Sequence, residues 1–237
     1  MRILVTICAR KGSKRVKNKN MRNLMGKPLI VHTIETAKKW GRADRIVVST
    51  DSEEIAKISK EYGADVPFMR PDELANDTAP KLPVIQHALK YLKDEENEEF
   101  DLVVDLDPTS PLRIVEDLEN AYNIMVEKDA VNLFSVCPAR KNPYFNMVEL
   151  NDNGYAHLSK KLENPVFRMQ DTPSVYEMNA SIYIYWTKYL LQMDSVINEG
   201  SIIYEMPDER SIDIDSEVDF KMVEFFIKSR KNNLNKI

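Results

Sequence analysis

Residues Ile3–Cys8 read ILVTIC, and the loop that follows them, Ala9–Asn20, reads ARKGSKRVKNKN. Nearly every position of the first segment is apolar, which is typical of a strand buried on both faces of a parallel sheet. Pro28 stands where a first helical turn would begin, and apolar residues recur after it at helical spacing. The start of the chain therefore predicts a buried strand, a polar loop and then a helix.

The alternation of strand and helix continues along most of the chain. Further strands are predicted at Arg45–Ser49, Val66–Met69, Asp101–Leu106, Val131–Val136 and Ala180–Trp186, and helices at Asp51–Tyr62, Leu82–Leu92, Ile114–Glu127 and Ser216–Lys228. This alternation predicts an α/β fold, with a mostly parallel sheet that is flanked by helices in the doubly wound, Rossmann-like manner. Ligands of such sheets bind beyond the carboxyl ends of the strands, so the loops at those ends are the candidate site.

The strand–helix pattern stops within residues 138–178, where prolines and mixed charges replace it. A stretch of this length without a strand–helix unit inside a compact domain indicates an inserted arm or a flap used in oligomerisation. We therefore expect an α/β core over residues 1–137, an inserted arm over 138–178, and the rest of the core with a C-terminal helix over 179–237.

The composition is that of a globular domain. Of the 237 residues, 43% are hydrophobic and 30% are charged, and the length suits one large α/β domain or one domain with an appendage. No apolar run approaches the roughly 18 residues that a membrane span needs, and the apolar stretch Ile3–Ala9 is too short for the core of a signal peptide. We therefore expect a cytoplasmic protein without a membrane partner. The distant cysteines Cys8 and Cys137 have no metal-ligand spacing and are expected to be buried, reduced thiols.

Positive charge is concentrated in one part of an otherwise acidic chain. The net charge is −5, yet no Asp or Glu occurs before Glu35. The positive residues between positions 10 and 27 are Arg10, Lys11, Lys14, Arg15, Lys17, Lys19, Arg22 and Lys27. Such a block indicates an anion-binding site or a solvated face. No aromatic residues are interleaved with it and no second basic cluster of that size follows, so a nucleic-acid partner is not expected.

The loop after the first strand has the features of a phosphate-binding turn. Gly12 would let the backbone turn closely around a ligand, and consecutive backbone N–H groups in such a turn form an anion-binding concavity. Lys14 and Lys19 can reach phosphate oxygens as point charges, and Arg10 can bind two oxygens at once. The spacings of a Walker A motif and of GxGxxG are both absent. The alternative for this loop is an exposed basic turn.

Two pairs of aspartates have a spacing that places both carboxylates of a pair on one face of an extended strand. Asp105 and Asp107 come at the end of a predicted strand, and Asp213 and Asp215 come just before the last helix. Close carboxylates repel each other unless a cation lies between them, and hard oxygen ligands suit Mg²⁺. Both pairs are therefore candidates for a metal site, with backbone capping as the alternative for each.

Arg70 and the polar stretch Asn76-Asp77-Thr78 lie in another loop at a predicted strand end. The guanidinium could donate to a base carbonyl or to a phosphate, and a surface salt bridge is the alternative. The three histidines of the chain show no triad spacing and no metal-ligand spacing, so nucleophilic catalysis of the Ser-His-Asp or Cys-His type is not predicted.

Several motifs keep the order and spacing of one known family from residue 3 to about residue 220. They are Ala9-Arg10-x-Gly12-Ser13-Lys14 with Lys19-Asn20, Gly26-Lys27-Pro28-Leu29, Ser49-Thr50-Asp51, Arg70-Pro71-x-Glu73-Leu74-Ala75-x-Asp77-Thr78, Pro108-Thr109-Ser110-Pro111-Leu112-Arg113 and Ser211-Ile212-Asp213-Ile214-Asp215. Together they resemble the acylneuraminate cytidylyltransferases, the CMP-sialic acid synthetases.

The resemblance implies the nucleotide-diphospho-sugar transferase fold, a homodimer, and an arm that reaches toward the partner's active site. It also implies a Mg²⁺-dependent transfer of CMP from CTP to the anomeric hydroxyl of a nine-carbon α-keto sugar acid, with release of pyrophosphate. The nucleotide-binding positions would be Ala9, Arg10, Gly12, Ser13, Lys14, Lys19, Asn20, Arg70 and Asp77, and the catalytic ones Arg10, Lys14, Lys19 and Asp213. The sugar-binding positions would be Asp107, Thr109, Ser110, Arg168, Gln170 and Asn179, and the metal ligands Asp213 and Asp215, to which we add Asp107 from its place at the strand end.

Two departures from the family's pattern fall on the sugar side. Asp107 stands where family members usually have Gln, and Glu177 stands where many sialic acid enzymes have an Arg that helps to hold the sugar's carboxylate. Arg168, with Gln170 two residues later, is the nearest basic candidate for that role. The sugar therefore stays open among sialic, legionaminic, pseudaminic and related acids.

Three other functions fit part of the pattern. A cytidylyltransferase for the eight-carbon acid Kdo is less favoured because the strand-end motif of that group differs from Asp107-Pro108-Thr109-Ser110. A non-catalytic nucleotide-binding regulator would be expected to lose the Asp213/Asp215 pair or the lysines, and both are present. A glycosyltransferase with Asp-x-Asp chemistry would need a nucleotide-sugar donor and would release no pyrophosphate.

Overall fold

The computed structural model describes residues 1–12, 15–76, 78–164 and 166–234, with side chains up to residue 230. The strands are β1 (Ile3–Cys8), β2 (Asn23–Leu24), β3 (Lys27–Pro28), β4 (Arg45–Ser49), β5 (Leu102–Leu106), β6 (Asn132–Pro138), β7 (Val148–Leu150), β8 (Ala156–Leu158), β9 (Tyr176–Trp186) and β10 (Ser201–Glu205). The helices are α1 (Leu29–Trp40), α2 (Glu53–Glu61), α3 (Asp72–Ala75), α4 (Lys81–Glu96), α5 (Val115–Lys128), α6 (Thr187–Leu190) and α7 (Glu217–Leu234). None of these helices, within the ranges described, is long and apolar enough to cross a bilayer.

The central sheet has six strands in the order β10-β6-β9-β5-β1-β4. β1 pairs in parallel with both neighbours, so that Val5 lies opposite Ile46 on one side and Val104 on the other. β9 is the exception, because it runs antiparallel between β5 and β6. The predicted α/β fold with a mostly parallel sheet is confirmed. The carboxyl ends of β1, β4, β5 and β6 meet at one edge of the sheet, where β9 begins.

Helices cover both faces of this sheet. On β1, Ile3, Val5 and Ile7 face the layer formed with α1, α2 and α5, whereas Leu4 faces the layer formed with α4. All four side chains are at most 3% exposed. Because apolar helix faces lie on both sides, the run ILVTIC is apolar at nearly every position and does not alternate with polar residues.

A third, smaller apolar cluster holds the site loops together. It contains Val16 from the basic loop, Leu112 from the loop after β5, Ile214 from the late acidic segment, and Phe220 from α7. Val16 and Ile214 are fully buried. Segments that are far apart in sequence are therefore packed against one another at the carboxyl edge of the sheet.

The segment 138–178 holds a two-stranded antiparallel hairpin, formed by β7 and β8, which the sequence pattern did not predict. Several of its apolar side chains are exposed, among them Val148, Leu150, Tyr155 and Phe167, the last by 84%. Exposed apolar surface of this extent is typical of an interaction site.

The predicted strand at Val66–Met69 is wrong. The bridge described beside β4 is an isolated one, between Val47 and Asp65. Pro67 lacks the N–H that a ladder would need. The segment is apolar because it packs into the core: Val66 and Phe68 are each 8% exposed.

The strand β10 was missed by the sequence reasoning. It pairs in parallel with β6 at the edge of the sheet, with Ile202 opposite Leu133. Gly200, just before it, has a positive φ of 88°. A glycine turn followed by a short β-branched run was the available signal.

Candidate active site

The basic loop and the late acidic segment meet at the carboxyl edge of the sheet. Lys19 Nζ donates to the carbonyl oxygen of Ile214 at 2.6 Å and lies 3.6 Å from Asp215 Oδ1. The backbone N–H of Ile214 donates in turn to the carbonyl oxygen of Thr109 at 2.9 Å. The loops after β1 and β5 and the segment before α7 therefore form one site, as the positions of the strand ends indicate.

Backbone and amide groups shape the basic loop. The N–H of Ala9 donates to the Ser49 carbonyl at 3.0 Å, and Asn20 Nδ2 donates to the Arg10 carbonyl at 3.1 Å. Asn20 Oδ1 is buried and has no hydrogen-bond partner among the described residues. A Cβ added at Gly12 would meet no atom of a described residue within 4 Å, and the φ of this glycine is not positive. The described residues thus give no steric need for glycine here, and they leave space for a ligand beside Gly12.

Three predicted nucleotide-binding residues, Ser13, Lys14 and Asp77, lie outside the described residues.

A cavity of about 180 Å³ opens between the first strand and the start of α4. It is lined by Cys8, Arg10, Arg70, Leu74, Asn76, Ala79, Lys81 and Val84. Arg70 is 7% exposed, and its Nε donates to Ser49 Oγ at 3.0 Å. The alternative of a surface salt bridge for Arg70 is therefore wrong. A cavity lined by both apolar side chains and guanidinium donors suits a planar base whose carbonyl oxygen and ring nitrogen accept hydrogen bonds.

The acidic pair at the end of β5 is bridged by a lysine that the sequence reasoning missed. Lys81 Nζ lies 3.0 Å from Asp105 Oδ2 and 2.7 Å from Asp107 Oδ2. Asp107 Oδ1 accepts from the N–H and the hydroxyl of Thr109, at 3.1 and 2.8 Å. Burial acts to raise the pKa of Asp107, but Lys81 and Thr109 outweigh it and the pKa is lowered. The two aspartates do share one face, as predicted.

Asp213 has one carboxylate oxygen without a partner among the described residues, although Thr109 hydrogen-bonds to its side chain. Its Oδ1 is buried without a hydrogen bond from any described residue. Burial, together with the negative charge of Asp107, raises the pKa of Asp213 to about 6. A buried carboxylate that is held near another one, with an unsatisfied oxygen, has the donor chemistry that a hard divalent cation requires.

Asp215 is oriented differently from Asp213. It is more than half exposed, and it pairs with Lys19 and, at 3.5 Å, with Arg15. Across residues 1–12, 15–76, 78–164 and 166–234, no three His, Cys, Asp or Glu side chains form a metal-binding group. A cation at Asp213 would therefore depend on oxygen ligands from a bound substrate as well as on the protein.

Ser110 and Asn179, predicted to bind the sugar, are held in a buried network. Ser110 Oγ donates to the Asn179 carbonyl at 3.0 Å, Ser135 Oγ donates to Asn179 Oδ1 at 2.6 Å, and Asn179 Nδ2 donates to Ser211 Oγ at 3.0 Å. Asn179 is 3% exposed and Ser110 is fully buried. In this structure both residues join the loop after β5 to the start of β9, beneath the site.

The arm residues predicted to bind the sugar lie apart from the aspartates. Arg168 is exposed, and its guanidinium makes two hydrogen bonds, of 2.8 and 3.0 Å, to Asp171. Gln170 lines a cavity of about 590 Å³ at the base of the arm. Glu177 Oε1 accepts from the backbone N–H of Arg140 at 3.1 Å. Within the described part of the chain, no hydrogen bond or ion pair joins these side chains to Asp213.

Comparisons with known proteins show the family and the fold of this chain. The Post-translational flagellin modification protein B of Campylobacter coli is 43% identical over 228 residues, which are 96% of each chain. The CMP-N,N'-diacetyllegionaminic acid synthase of Campylobacter jejuni is 46% identical over 230 residues, or 97% of this chain and 96% of the relative. The structure of a CMP:2-keto-3-deoxy-manno-octonic acid synthetase complexed with CTP covers 97% of this chain and 100% of its own, with a TM-score of 0.71 at 18% identity, and so shares the fold. A family model described as Cytidylyltransferase matches residues 4–231, and the chain belongs to that cytidylyltransferase family.

Proposed function

We propose that this enzyme transfers CMP from CTP to the anomeric hydroxyl of a nine-carbon α-keto sugar acid and releases pyrophosphate. The hydroxyl oxygen attacks the α-phosphorus, and the bond from that phosphorus to the bridging oxygen of pyrophosphate breaks in line. The observation that carries the proposal is the contact of Lys19 with Ile214 and Asp215, because it joins a phosphate-binding cation to the acidic segment.

The nucleotide would lie along the basic loop. Its base would enter the cavity beside Arg70, and its triphosphate would meet the ammonium and guanidinium groups of Lys14, Lys19 and Arg10. The space that the described residues leave beside Gly12 supports a close approach of phosphate oxygens. Preorganised positive charge of this kind stabilises the charge that develops on the leaving pyrophosphate.

Mg²⁺ would be held by Asp213, with Asp107 and Asp215 as flanking carboxylates. When bound, the ion would neutralise phosphate charge and polarise a phosphoryl oxygen. Asp213 fits this role because its buried Oδ1 has no partner in the described chain and its pKa is raised to about 6. Lys19 orients the segment that carries Asp213, through its bond to the carbonyl of the next residue, Ile214.

We favour a legionaminic-type acid as the acceptor, since the C. jejuni relative is named for N,N'-diacetyllegionaminic acid. Glu177 in place of an arginine supports a sugar site that differs from that of many sialic acid enzymes. Thr109, a predicted sugar-side residue at the strand end, donates its hydroxyl to Asp107 Oδ1.

We further propose a homodimer in which the arm of one chain completes the sugar site of the other. The exposed apolar side chains of the arm, Phe167 above all, support an interface there. Arg168 and Gln170, which lie apart from Asp213 in their own chain, would then reach the partner's site. Both cysteine thiols are free, in keeping with a reducing cytoplasmic location.

A pyrophosphate-release assay tests the proposal. The purified enzyme would be given Mg²⁺, CTP or UTP, and a panel of legionaminic, pseudaminic, sialic and Kdo acids. We expect release with CTP and a nine-carbon acid, and none when Mg²⁺ is chelated. Release with Kdo alone would favour the alternative function, a cytidylyltransferase for the eight-carbon acid Kdo. The one observation for that alternative is the fold shared with the octonic acid synthetase. No release with any acid would contradict the proposed function.

A further inference from the structure

The acidic pair at the end of β5 already holds a positive charge. Lys81, the first residue of α4, places its Nζ 3.0 Å from Asp105 Oδ2, 2.7 Å from Asp107 Oδ2 and 4.5 Å from the centre of the Tyr183 ring. Two carboxylates and an aromatic face surround this ammonium. Carboxylates that share a strand face beside a phosphate site are otherwise ligands for a divalent cation.

Asp105 fixes the lysine in this position. It is fully buried, and its second oxygen, Oδ1, accepts from Thr6 Oγ1 at 2.8 Å and from Cys8 Sγ at 3.4 Å. A buried carboxylate without a cation is costly, so the ammonium cannot leave Asp105 unless another cation replaces it. Burial acts to lower the pKa of Lys81, but Asp105 and Asp107 outweigh it and raise the pKa well above its usual range.

The charges near the strand end suit one divalent ion and not two. Lys81 and the buried guanidinium of Arg113 lie close to the two negative charges of Asp105 and Asp107. The oxygen left without a partner in the described chain is Oδ1 of Asp213, which is buried. One divalent cation beside Asp213 would satisfy that oxygen, whereas a second ion at the β5 pair would have to displace the ammonium.

We propose that Lys81 is a resident cation that takes the place of a second divalent ion at Asp105 and Asp107, so that this enzyme binds one metal ion, beside Asp213. Lys81 is a positioning residue here, because it fixes the Asp107 carboxylate. The occupancy of the β5 pair by Lys81 is independent of the proposed function, and only the ion beside Asp213 rests on it.

The test is the stoichiometry of Mn²⁺ binding to the full chain, followed by electron paramagnetic resonance with Mn²⁺ as the probe. Lys81→Met removes the ammonium and leaves both carboxylates, so it is expected to bind one more Mn²⁺ per chain than the wild type. Two controls accompany it. Lys90→Met removes an exposed lysine of the same helix and should keep the wild-type number, and Lys81→Met with Asp107→Asn should lose the extra ion.

Thermal unfolding is a second measurement, and it tests the proposal even if Lys81→Met is less stable than the wild type. Mn²⁺ should raise the Tm of Lys81→Met by more than it raises the Tm of the wild type or the double variant, because the ion would restore the missing positive charge. An unchanged Mn²⁺ count in Lys81→Met, or a Tm that responds to Mn²⁺ no more than the wild type does, would overturn the inference. A wild type that binds no Mn²⁺, beside a Lys81→Met variant that binds one, would contradict the metal ion beside Asp213 and support the role of Lys81.

Discussion

Asp107 and Asp213 influence each other across the loop after β5, and their pKa values are shifted in opposite directions. Lys81 and Thr109 keep Asp107 ionised although it is buried. Asp213 has the negative charge of Asp107 near it and no partner on Oδ1 within the described chain. One carboxylate is thus neutralised by the protein itself, while the other is left to a ligand.

Removal of Asp213 should abolish most of the activity. Asp213→Asn keeps the shape of the side chain but removes the charge that would hold the metal ion, and loss of one such charge typically lowers the rate about 10²- to 10³-fold. The turnover of CTP at saturating Mg²⁺ measures this. Asp94→Asn, at an exposed position of α4, is the control and should be fully active. Near-normal turnover of Asp213→Asn would mean that the metal lies elsewhere.

The raised pKa of Asp213 predicts a pH dependence of stability in the ligand-free protein. An unfolded aspartate ionises near pH 3.9, whereas Asp213 in the folded chain holds its proton until about pH 6. The folded state therefore binds more protons in this window, and its free energy of unfolding falls as the pH rises from about 4 to about 6. A shift of this size corresponds to at most about 3 kcal/mol.

Urea unfolding of the wild type and of Asp213→Asn, from pH 4 to pH 7, isolates this contribution. The variant should gain stability relative to the wild type as the pH rises, because it lacks the buried charge. Added Mg²⁺ should reduce the difference at pH 7 if the ion binds Asp213. Parallel pH profiles for the two proteins would show that the carboxyl is not perturbed.

The meeting of the candidate loops at one edge of the sheet could be predicted from the sequence. The rule that strands of an α/β sheet end at one edge placed the loops after β1 and β5 together, and Lys19 indeed reaches Ile214. The rule depends on strand order only, so it does not need the details of packing. The late segment joined them because Ile214 alternates with polar neighbours and is buried in the third apolar cluster.

The parts of the candidate site that could not be predicted depend on single side chains whose positions follow from no sequence pattern. In the sequence, Lys81 resembles any surface lysine at the start of a helix. It contacts Asp105 only because the folded chain places the start of α4 beside β5. The strand prediction for Val66–Met69 was wrong for a related reason. An apolar run can be buried by packing alone, without the hydrogen bonds of a strand ladder. The hydrophobic pattern indicates that a segment is buried. It does not distinguish a segment buried within a strand ladder from one buried by packing alone.

Arg70 should act on the binding of CTP more than on the chemical step. Arg70→Lys keeps the positive charge but loses the planar guanidinium that donates to Ser49 and faces the cavity. We expect the KM for CTP to rise about tenfold, with kcat changed much less, as for the loss of one charge-assisted hydrogen bond. Steady-state kinetics with varied CTP measure this, and Arg42→Lys, whose partner is the surface residue Glu119, is the control. An equal fall in kcat with no change in KM would place Arg70 at the reacting phosphate.

The proposed crossing of the arm between subunits can be tested by mixing two inactive variants. Arg168→Ala should lose activity because the sugar's carboxylate loses its cation, and Asp213→Asn should lose it because the metal ion is lost. If Arg168 serves the partner's site, a dimer with one chain of each kind has one site that lacks both residues and one that lacks neither.

Unfolding and refolding an equal mixture makes half of the dimers mixed, so activity should return to about a quarter of the wild-type value. If Arg168 serves its own chain, every site keeps one defect and the mixture stays inactive. Each variant refolded alone is the first control. Phe167→Asp, on the same arm, should weaken the dimer and is therefore expected to prevent the return of activity.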